Sequence, residues 1–159
     1  MLRGSLFKML KKTVLFVALA APVLIFFFLK LFGKNEFEVP VYWSDGVAVN
    51  GCAPKPGLYT LPDSALTAWG WKGDKATLLV LDDGKTVTTN LARVADLFDE
   101  GDYATISVHN APSCLLLAGD SSKVVMIDNQ KRIRGYYTPT TERETDRLGV
   151  ELRILLKQY

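Results

Sequence analysis

The chain has two thiol side chains, Cys52 and Cys114, and one imidazole, that of His109, and these groups bind soft metals or, for the thiols, exchange disulfides. Thiolate and neutral imidazole suit copper, so the three together would make a copper site. The cysteines are 62 positions apart, which is not the spacing of a metal-binding pair. In an oxidising compartment they would instead form a disulfide, or they would remain two separate, unreactive thiols. The residues alone leave these alternatives open.

The charged clusters are weaker candidates for chemistry. Asp82 and Asp83 would bind a cation or assist acid–base chemistry, but the run Asp-Asp-Gly-Lys is typical of a solvated turn before a helix. No nucleophile or phosphate-binding loop accompanies them. Lys131, Arg132 and Arg134 are expected to form the solvent face of a hairpin. We therefore predict no catalytic residue, no metal ligand and no cofactor, and a protein that is not an enzyme.

Charge is distributed unevenly along the chain. The 159 residues include 19 Lys and Arg and 17 Asp and Glu, and all of the acidic residues follow position 34. Residues 35–159 then carry 13 basic and 17 acidic groups. An acidic domain behind a basic, apolar segment argues against nucleic acid as the partner.

Residues 13–32 predict a transmembrane helix. Thr13 to Leu29 contains no charged residue and is almost wholly apolar, which is close to the length that a bilayer requires. The alternative is a cleaved signal peptide, since Ala18-Leu19-Ala20 resembles a cleavage site. The apolar run continues well beyond that site, and this favours the transmembrane helix and contact with the lipid bilayer.

The basic residues around this span predict its orientation. Four cations precede it and two follow it: Arg3, Lys8, Lys11 and Lys12 before, Lys30 and Lys34 after. By the positive-inside rule, residues 1–12 are cytoplasmic. We therefore expect a single-pass protein of a bacterial inner membrane, with its C-terminal domain in the periplasm.

The part of the chain after the span begins with a turn-rich segment. Residues 33–75 predict a connecting arm with at most two edge strands, and their one alternating run is Phe37–Trp43. Trp69 and Trp71 fit core packing and an interface equally well.

Residues 76–159 predict a mixed sheet. Ala76–Leu81 is a continuous apolar run, the pattern of a strand covered on both faces. A helix is predicted over Thr88–Glu100, and further strands over Ala104–His109 and Lys123–Asp128. Four apolar residues share one face of this helix: Leu91, Val94, Ala95 and Phe98. Right-handed crossover makes the first two strands parallel.

The last third of this region predicts a hairpin and a helix. Arg132–Tyr137 pairs with the preceding strand through the turn 129–131. Thr141 and Glu144 have the spacing of a capping box. The helix after them has one apolar stripe: Leu148, Leu152, Leu155, Leu156 and Tyr159. This order of elements is that of an α/β, thioredoxin-like fold with a mixed sheet and flanking helices, trimmed between the second and third strands, where Cys114–Ala118 predicts one helical turn at most.

Three segments of the chain resemble proteins of the SCO/SenC family. In residues 126–159, a strand ending in Asp128 is followed by a turn, the strand IRGYY and a helix of pattern E-x-x-x-x-L, as at the C-terminal end of that family. Asn90–Val94 is similar to the helix after the family's metal motif, and Leu61–Asp63 to the approach to its core. The resemblance implies a membrane-tethered copper chaperone and thiol reductant for cytochrome oxidase.

The residues that carry the family's chemistry are missing. The family binds copper through a Cys-x-x-x-Cys motif and a distant histidine. The corresponding loop 82–87 contains no cysteine, and residues 120–123, before the strand that ends in Asp128, contain no histidine. The chain thus resembles a degenerate member, whose activity is not expected to survive.

We therefore expect a non-catalytic, membrane-anchored module that binds an integral membrane complex. The resemblance implies that this complex is a respiratory one, a cytochrome oxidase, with the chain as accessory subunit or assembly factor in electron transport. Aromatic side chains are frequent interface anchors. The expected interface residues are Phe26, Phe27, Phe28, Tyr42 and Trp43. The alternative is an active copper-binding or thiol–disulfide protein that uses Cys52 and Cys114.

Overall fold

The computed structural model describes residues 14, 17–28, 38–49, 51–119 and 121–158. They belong to two compact units, Met1–Phe37 and Glu38–Tyr159. In the first unit, residues 17–28 are helical. Both ends of the predicted transmembrane helix 13–32, and the whole predicted cytoplasmic segment 1–12, lie outside the described residues. Within the described ranges, no helix has both the length and the hydropathy needed to cross a membrane.

The second unit is a mixed sheet with helices on its faces. Its described strands are β1 (Gly46–Val47), β2 (Lys55–Pro56), β3 (Ala76–Val80), β4 (Ala104–Ser107), β5 (Val124–Asp128) and β6 (Ile133–Tyr137). Its described helices are α1 (Asp63–Ala68), α2 (Lys85–Ala95), α3 (Ser113–Leu116) and α4 (Glu142–Lys157). Strands β3 to β6 form one sheet in the order β4-β3-β5-β6. The pair β3/β4 is parallel, and β5 is antiparallel to both β3 and β6. The predicted α/β class and the parallel first pair are confirmed.

The two central strands, β3 and β5, are buried along their whole length. Their register places Leu78 opposite Met126 and Ala76 opposite Asp128. A strand with a neighbour on each side and a layer on each face exposes no side chain, and this explains why both segments are continuous apolar runs. Both strands were placed to within one residue by the sequence pattern.

The helix after β3 begins and ends earlier than its periodicity predicts. The apolar pattern runs over Thr88–Glu100, whereas α2 spans Lys85–Ala95. Beyond its end, the amides of Leu97 and Phe98 donate to carbonyls three residues back, at 3.0 and 3.1 Å, so the helix tightens into a turn. Phe98 still reaches the core and makes an edge-to-face contact with Tyr103, with the ring centroids 5.5 Å apart. The apolar pattern of the sequence therefore continues beyond the last residue of the helix.

The closing helix, α4, starts at the predicted cap. The Thr141 hydroxyl accepts a hydrogen bond from the Glu144 amide at 3.4 Å. The Glu144 carboxylate pairs with Arg147 at 3.1 Å, so an ion pair replaces the second bond of a capping box. The stripe of α4 is buried at Leu148, Leu152 and Leu155 and partly buried at Leu156, and Tyr159 lies outside the described residues.

Each face of the sheet has its own hydrophobic core. On one face, side chains such as Leu78 and Met126 pack against α2 and α4. On the other face, Leu79 and Val125 pack against α3 and the segment 42–71. The segment contributes buried side chains in irregular order: Val47, Tyr59, Leu61 and Leu66. The predicted connecting arm 33–75 thus lies, from Glu38 onward, in the same compact unit as the sheet and covers its second face.

The strand pairing inside this segment is not where the alternating run suggested. The described part of Phe37–Trp43 is not a strand, and β1 pairs with β2 instead. Gly46 has a φ of 118°, and a Cβ there would lie 2.7 Å from the carbonyl oxygen of Lys55, so the hairpin requires glycine. The Tyr42 amide donates to the Ile133 carbonyl at 2.9 Å and holds the run against β6.

Candidate functional site

The carboxyl ends of the parallel strands β3 and β4 are the place where a sheet of this kind positions reactive groups. Asp82 lies just after β3. One of its oxygens accepts from the Gly84 amide at 2.9 Å, and the other pairs with the Lys123 ammonium at 2.8 Å. The hydrogen bond from Lys123 and the bond from the Gly84 amide lower the pKa of the Asp82 carboxyl below its ordinary value. Asp82 is therefore ionised, and its ion pair with Lys123 holds the loop before β5.

Asp83, the second carboxylate of this loop, is exposed. Its carbonyl oxygen accepts from the Thr88 hydroxyl at 2.9 Å, and this bond secures the first turn of α2. Asp82 and Asp83 thus lie in a loop directly before a helix, which agrees with the interpretation that the sequence favours. Among the described residues, no group of three or more His, Cys, Asp and Glu is arranged to hold a metal ion.

Cys52 and Cys114 form a disulfide, with Cα atoms 5.3 Å apart. Cys114 is in α3 and exposed, and Cys52 is partly buried just before β2. The bridge joins the two segments that cover the second face of the sheet. Sulfurs bonded to each other are not thiolate ligands, and His109 is exposed beyond the end of β4.

The aromatic residues of the predicted connecting arm make contacts within the second unit. The Trp43 indole N–H donates to the Tyr136 hydroxyl at 2.8 Å, and that hydroxyl donates to the Leu116 carbonyl at 2.9 Å. Tyr42 lies edge-on to Tyr136, with the centroids 5.1 Å apart. Burial raises the pKa of Tyr136 to about 12. Tyr42 and Trp43 are only partly exposed, so each offers a partner one part of its surface.

The remaining aromatic candidates divide between the core and solvent. Trp71 donates to the Thr77 hydroxyl at 3.1 Å, and Trp69 packs in the same core as Trp71, which favours core packing for both. Among the described helical residues of the first unit, the side chains of three phenylalanines are mostly exposed: Phe26, Phe27 and Phe28.

The basic hairpin residues do not form the expected solvent face. Arg134 is only 4% exposed, and its Nη1 atom lies 3.1 Å from the buried carboxylate of Asp128. Arg132 binds the same oxygen at 2.7 Å. Lys131 pairs with Asp63, 2.5 Å away. Asp128, Arg132 and Arg134 thus form a largely buried ionic cluster, whereas the Lys131–Asp63 pair is at the surface.

Sequence reasoning missed this cluster, although a signal was present. A short turn brings the end of β5 beside the start of β6, so Asp128 must face arginines at positions 132 and 134. Burial opposes ionisation of Asp128, but the hydrogen bonds and charge of Arg132 and the contact with Arg134 outweigh it and lower the pKa of Asp128.

The cavities in the described part of the second unit include two with polar residues in their lining. One, of about 240 Å³, lies past the carboxyl ends of β3 and β4, between an apolar floor that includes Leu81 and Val108 and polar residues that include Asn110 and Ser122. The other, of about 470 Å³, lies beside Arg134.

The chain matches no protein-family model, no curated protein and no solved structure at a significant level.

Proposed function

We propose that the chain is a non-catalytic, SCO/SenC-like module of a bacterial inner membrane that docks on a respiratory membrane complex, a cytochrome oxidase, as accessory subunit or assembly factor. In this proposal residues 13–32 span the membrane once, the N-terminus is cytoplasmic and the second unit is periplasmic. The proposal is carried by one observation, the ion pair between Asp82 and Lys123.

The ion pair lies where the resemblance places the reaction centre. In the family, the loop after the first core strand carries the Cys-x-x-x-Cys motif, and the loop before the third carries the histidine. In this chain, Asp82 is in the first loop and Lys123 in the second, 2.8 Å apart. A carboxylate and an ammonium exchange no electrons, and an ammonium is not a copper ligand. The two loops remain joined, but by groups that support neither copper transfer nor thiol exchange.

The topology supports the thioredoxin-like part of the proposal. A parallel pair, an antiparallel hairpin and a closing helix, in the order β4-β3-β5-β6, agree with the fold that the resemblance implies. The connection between β4 and β5 contains only the four-residue helix α3. The segment 38–71 lies over the face that this shortened connection leaves open.

The position of the module in the cell is supported by two features of the chain. The uncharged run from Thr13 to Leu29 has the composition of a membrane span, with most of the flanking cations before it. The disulfide between Cys52 and Cys114 is stable in the periplasm and is rare in the cytosol.

The docking role is supported by the aromatic residues that retain exposed surface. Phe26, Phe27 and Phe28 are well placed to pack between the helices of a membrane complex. Tyr42 and Trp43 offer partly exposed rings near the start of the second unit.

The test is a pull-down of the full-length protein from native membranes in a mild detergent, followed by an absorption spectrum. We expect haem to co-purify. After separation from its partner, the protein itself should contain no stoichiometric copper. A Phe26→Ala/Phe27→Ala/Phe28→Ala variant should lose the haem signal, while a matched Val17→Ala/Leu19→Ala/Leu24→Ala variant of the same segment should lose less. Recovery of a membrane complex without haem would contradict the respiratory assignment.

The disulfide supports a second candidate function, that of an active copper-binding or thiol–disulfide protein. Cys52 and Cys114 are bonded to each other, and Cys114 is exposed, so after reduction the pair would be able to bind Cu(I) or to reduce a disulfide of another protein and return to the bonded form. Copper titration of the reduced full-length protein separates the two candidates. One tightly bound Cu(I), lost in Cys114→Ser, would favour this function over the docking module.

A further inference from the structure

The cavity beside Arg134, about 470 Å³, has polar residues in its lining that the docking function does not use. Its polar side chains come from Glu38, Gln130, Arg132, Arg134 and Gln158. The volume falls within the range of about 300–1,000 Å³ that is common for small-molecule sites.

Arg134 is the most deeply buried polar residue of this lining, at 4% exposure. Its Nη1 atom donates to Asp128 at 3.1 Å, and its Nη2 atom donates to the Val39 carbonyl at 2.5 Å and to the amide oxygen of Gln158 at 3.0 Å. Its Nε–H is buried and has no hydrogen-bond partner in the described part of the chain. A buried donor without an acceptor is costly and points to a group that the chain itself does not supply.

The geometry of a guanidinium defines what that group would be. The Nε–H and one Nη–H point in the same direction, and together they match two oxygens of a phosphate or carboxylate. On Arg134, Nη2 has acceptors and Nε has none. One of those acceptors, Gln158, is an exposed residue at the end of α4, so its side chain is free to swing away. The amide oxygen of Gln158 accepts from Nη2 alone, whereas the Nε–H and Nη2–H pair has the geometry to bind two oxygens.

We propose that this cavity binds a phosphate group. Two phosphate oxygens accept hydrogen bonds from the Nε and Nη2 atoms of Arg134, and the phosphate displaces the amide oxygen of Gln158 from Nη2. Arg132 and Gln130 line the same cavity and provide further donors. The carboxylate of Glu38 opposes the anion, but Glu38 is exposed and its charge is screened by salt. The phosphate site does not depend on the docking function.

The phosphate has two possible sources. Glu38 follows the end of the predicted span by six residues, which reach at most about 20 Å, so a phospholipid headgroup is within range of an anchored protein. A free phosphate or phosphate ester is the other source. Only the lipid source rests on the proposed membrane anchor.

The first experiment titrates inorganic phosphate, at constant ionic strength, into the full-length protein in a phosphate-free maltoside detergent and measures binding by calorimetry. Gln158→Glu places a carboxylate of the chain itself on the fork, so we expect it to weaken phosphate binding at least tenfold. Thr89→Glu adds the same charge to an exposed site on α2 and should bind as the wild type does. Glu38→Gln should bind several-fold more tightly. No saturable binding, or equal binding by the wild type and Gln158→Glu, would overturn the proposal.

The second experiment identifies the source by titrating short-chain phosphatidylglycerol, below its micellar concentration, into the same preparation. Tighter binding of the lipid than of phosphate, lost in Gln158→Glu, supports the site with a headgroup as its ligand. Binding no tighter than that of phosphate supports the site with a free anion as its ligand. This result is independent of haem co-purification, so the phosphate site and the docking function fail separately.

Discussion

Cys52 and Cys114 are bonded across the second face of the sheet, and their bridge ties the loop before β2 to helix α3. The bond closes a loop of 62 residues, for which the chain-entropy estimate is about 4 kcal/mol. We expect a Cys52→Ser/Cys114→Ser variant to lose about 2–4 kcal/mol of unfolding free energy, measured by urea denaturation. Adding a reductant to the wild type should produce the same loss. Equal stability of the oxidised and reduced proteins would show that the bridge contributes nothing.

The Tyr136 hydroxyl connects the segment 42–71 to α3, since it accepts a hydrogen bond from Trp43 and donates one to the Leu116 carbonyl. Tyr136→Phe leaves both of these groups without their partner, so we expect a loss of about 1–3 kcal/mol in urea denaturation. Tyr42→Phe preserves the ring contact and serves as the control, with a change below about 0.5 kcal/mol. A Tyr136→Phe variant as stable as the control would mean that water replaces both bonds.

How far the sequence determines this fold differs between the two faces of the sheet. The central strands and α4 carry their own signals, continuous apolar runs and a cap at Thr141. The segment 38–71 carries no period, because residues such as Tyr59 and Leu66 reach the core singly from turns and a short helix. Turn-rich composition predicts a connector, and only tertiary contacts make this one a layer of the domain.

The candidate site shows the same division. Loop 82–87 was recognisable because it follows a clear strand, but its ion pair with Lys123 joins residues far apart in sequence. Arg134 was misassigned to solvent because alternation along a hairpin assumes one wet face, whereas β6 has both faces covered. A charged residue then remains inside because Asp128 lies beside it.

Asp128 should make stability depend on pH in the acid range. Its folded pKa is lower than its unfolded pKa of about 3.9, so the stability that its ionised form contributes is complete above that value. That contribution is lost as the pH falls through the folded pKa, which is a window below about pH 4. Urea denaturation at a series of pH values measures it.

Replacing Asp128 tests the origin of that dependence. Asp128→Asn should cost about 3–5 kcal/mol at pH 7, since Arg134 is left buried without its counter-charge, and should flatten the curve below about pH 4. Asp63→Asn, at an exposed ion pair, should change stability by less than about 1 kcal/mol and preserve the curve. A curve that is unchanged in Asp128→Asn would assign the acid dependence to other carboxyl groups.

Lys123 should control the ionisation of Asp82. Lys123→Met removes the hydrogen bond and the charge that lower the pKa of the Asp82 carboxyl, so we expect that pKa to rise toward its ordinary value. Carbon-13 NMR titration of the side-chain carboxyls measures the change. Lys85→Met removes an exposed lysine three residues from Asp82 and should leave the titration in place. A comparable shift in both variants would mean that general charge, not the contact with Lys123, lowers the pKa.

Gly135 should be irreplaceable by alanine, because Tyr137 folds back over it. A Cβ at position 135 would overlap the hydroxyl and the ring of Tyr137. That ring is fixed from two sides, by a hydrogen bond from its hydroxyl to Glu151 at 2.5 Å and by the Arg147 guanidinium 4.8 Å above its centroid. The ring cannot yield without losing both contacts, so we expect Gly135→Ala to cost at least about 1–3 kcal/mol in urea denaturation and to change the near-ultraviolet circular dichroism of the tyrosines.

The matched control is Gly119→Ala, at a position where an added Cβ meets no atom within 4 Å. It should change stability by less than about 0.5 kcal/mol and leave the tyrosine dichroism intact. If Gly135→Ala behaved like this control, the ring of Tyr137 would have to lie elsewhere. Glu151 and Arg147 would then lose their contacts with it, and the polar link between β6 and α4 in this region would rest on the bond from Arg147 to the Tyr136 carbonyl, at 2.9 Å.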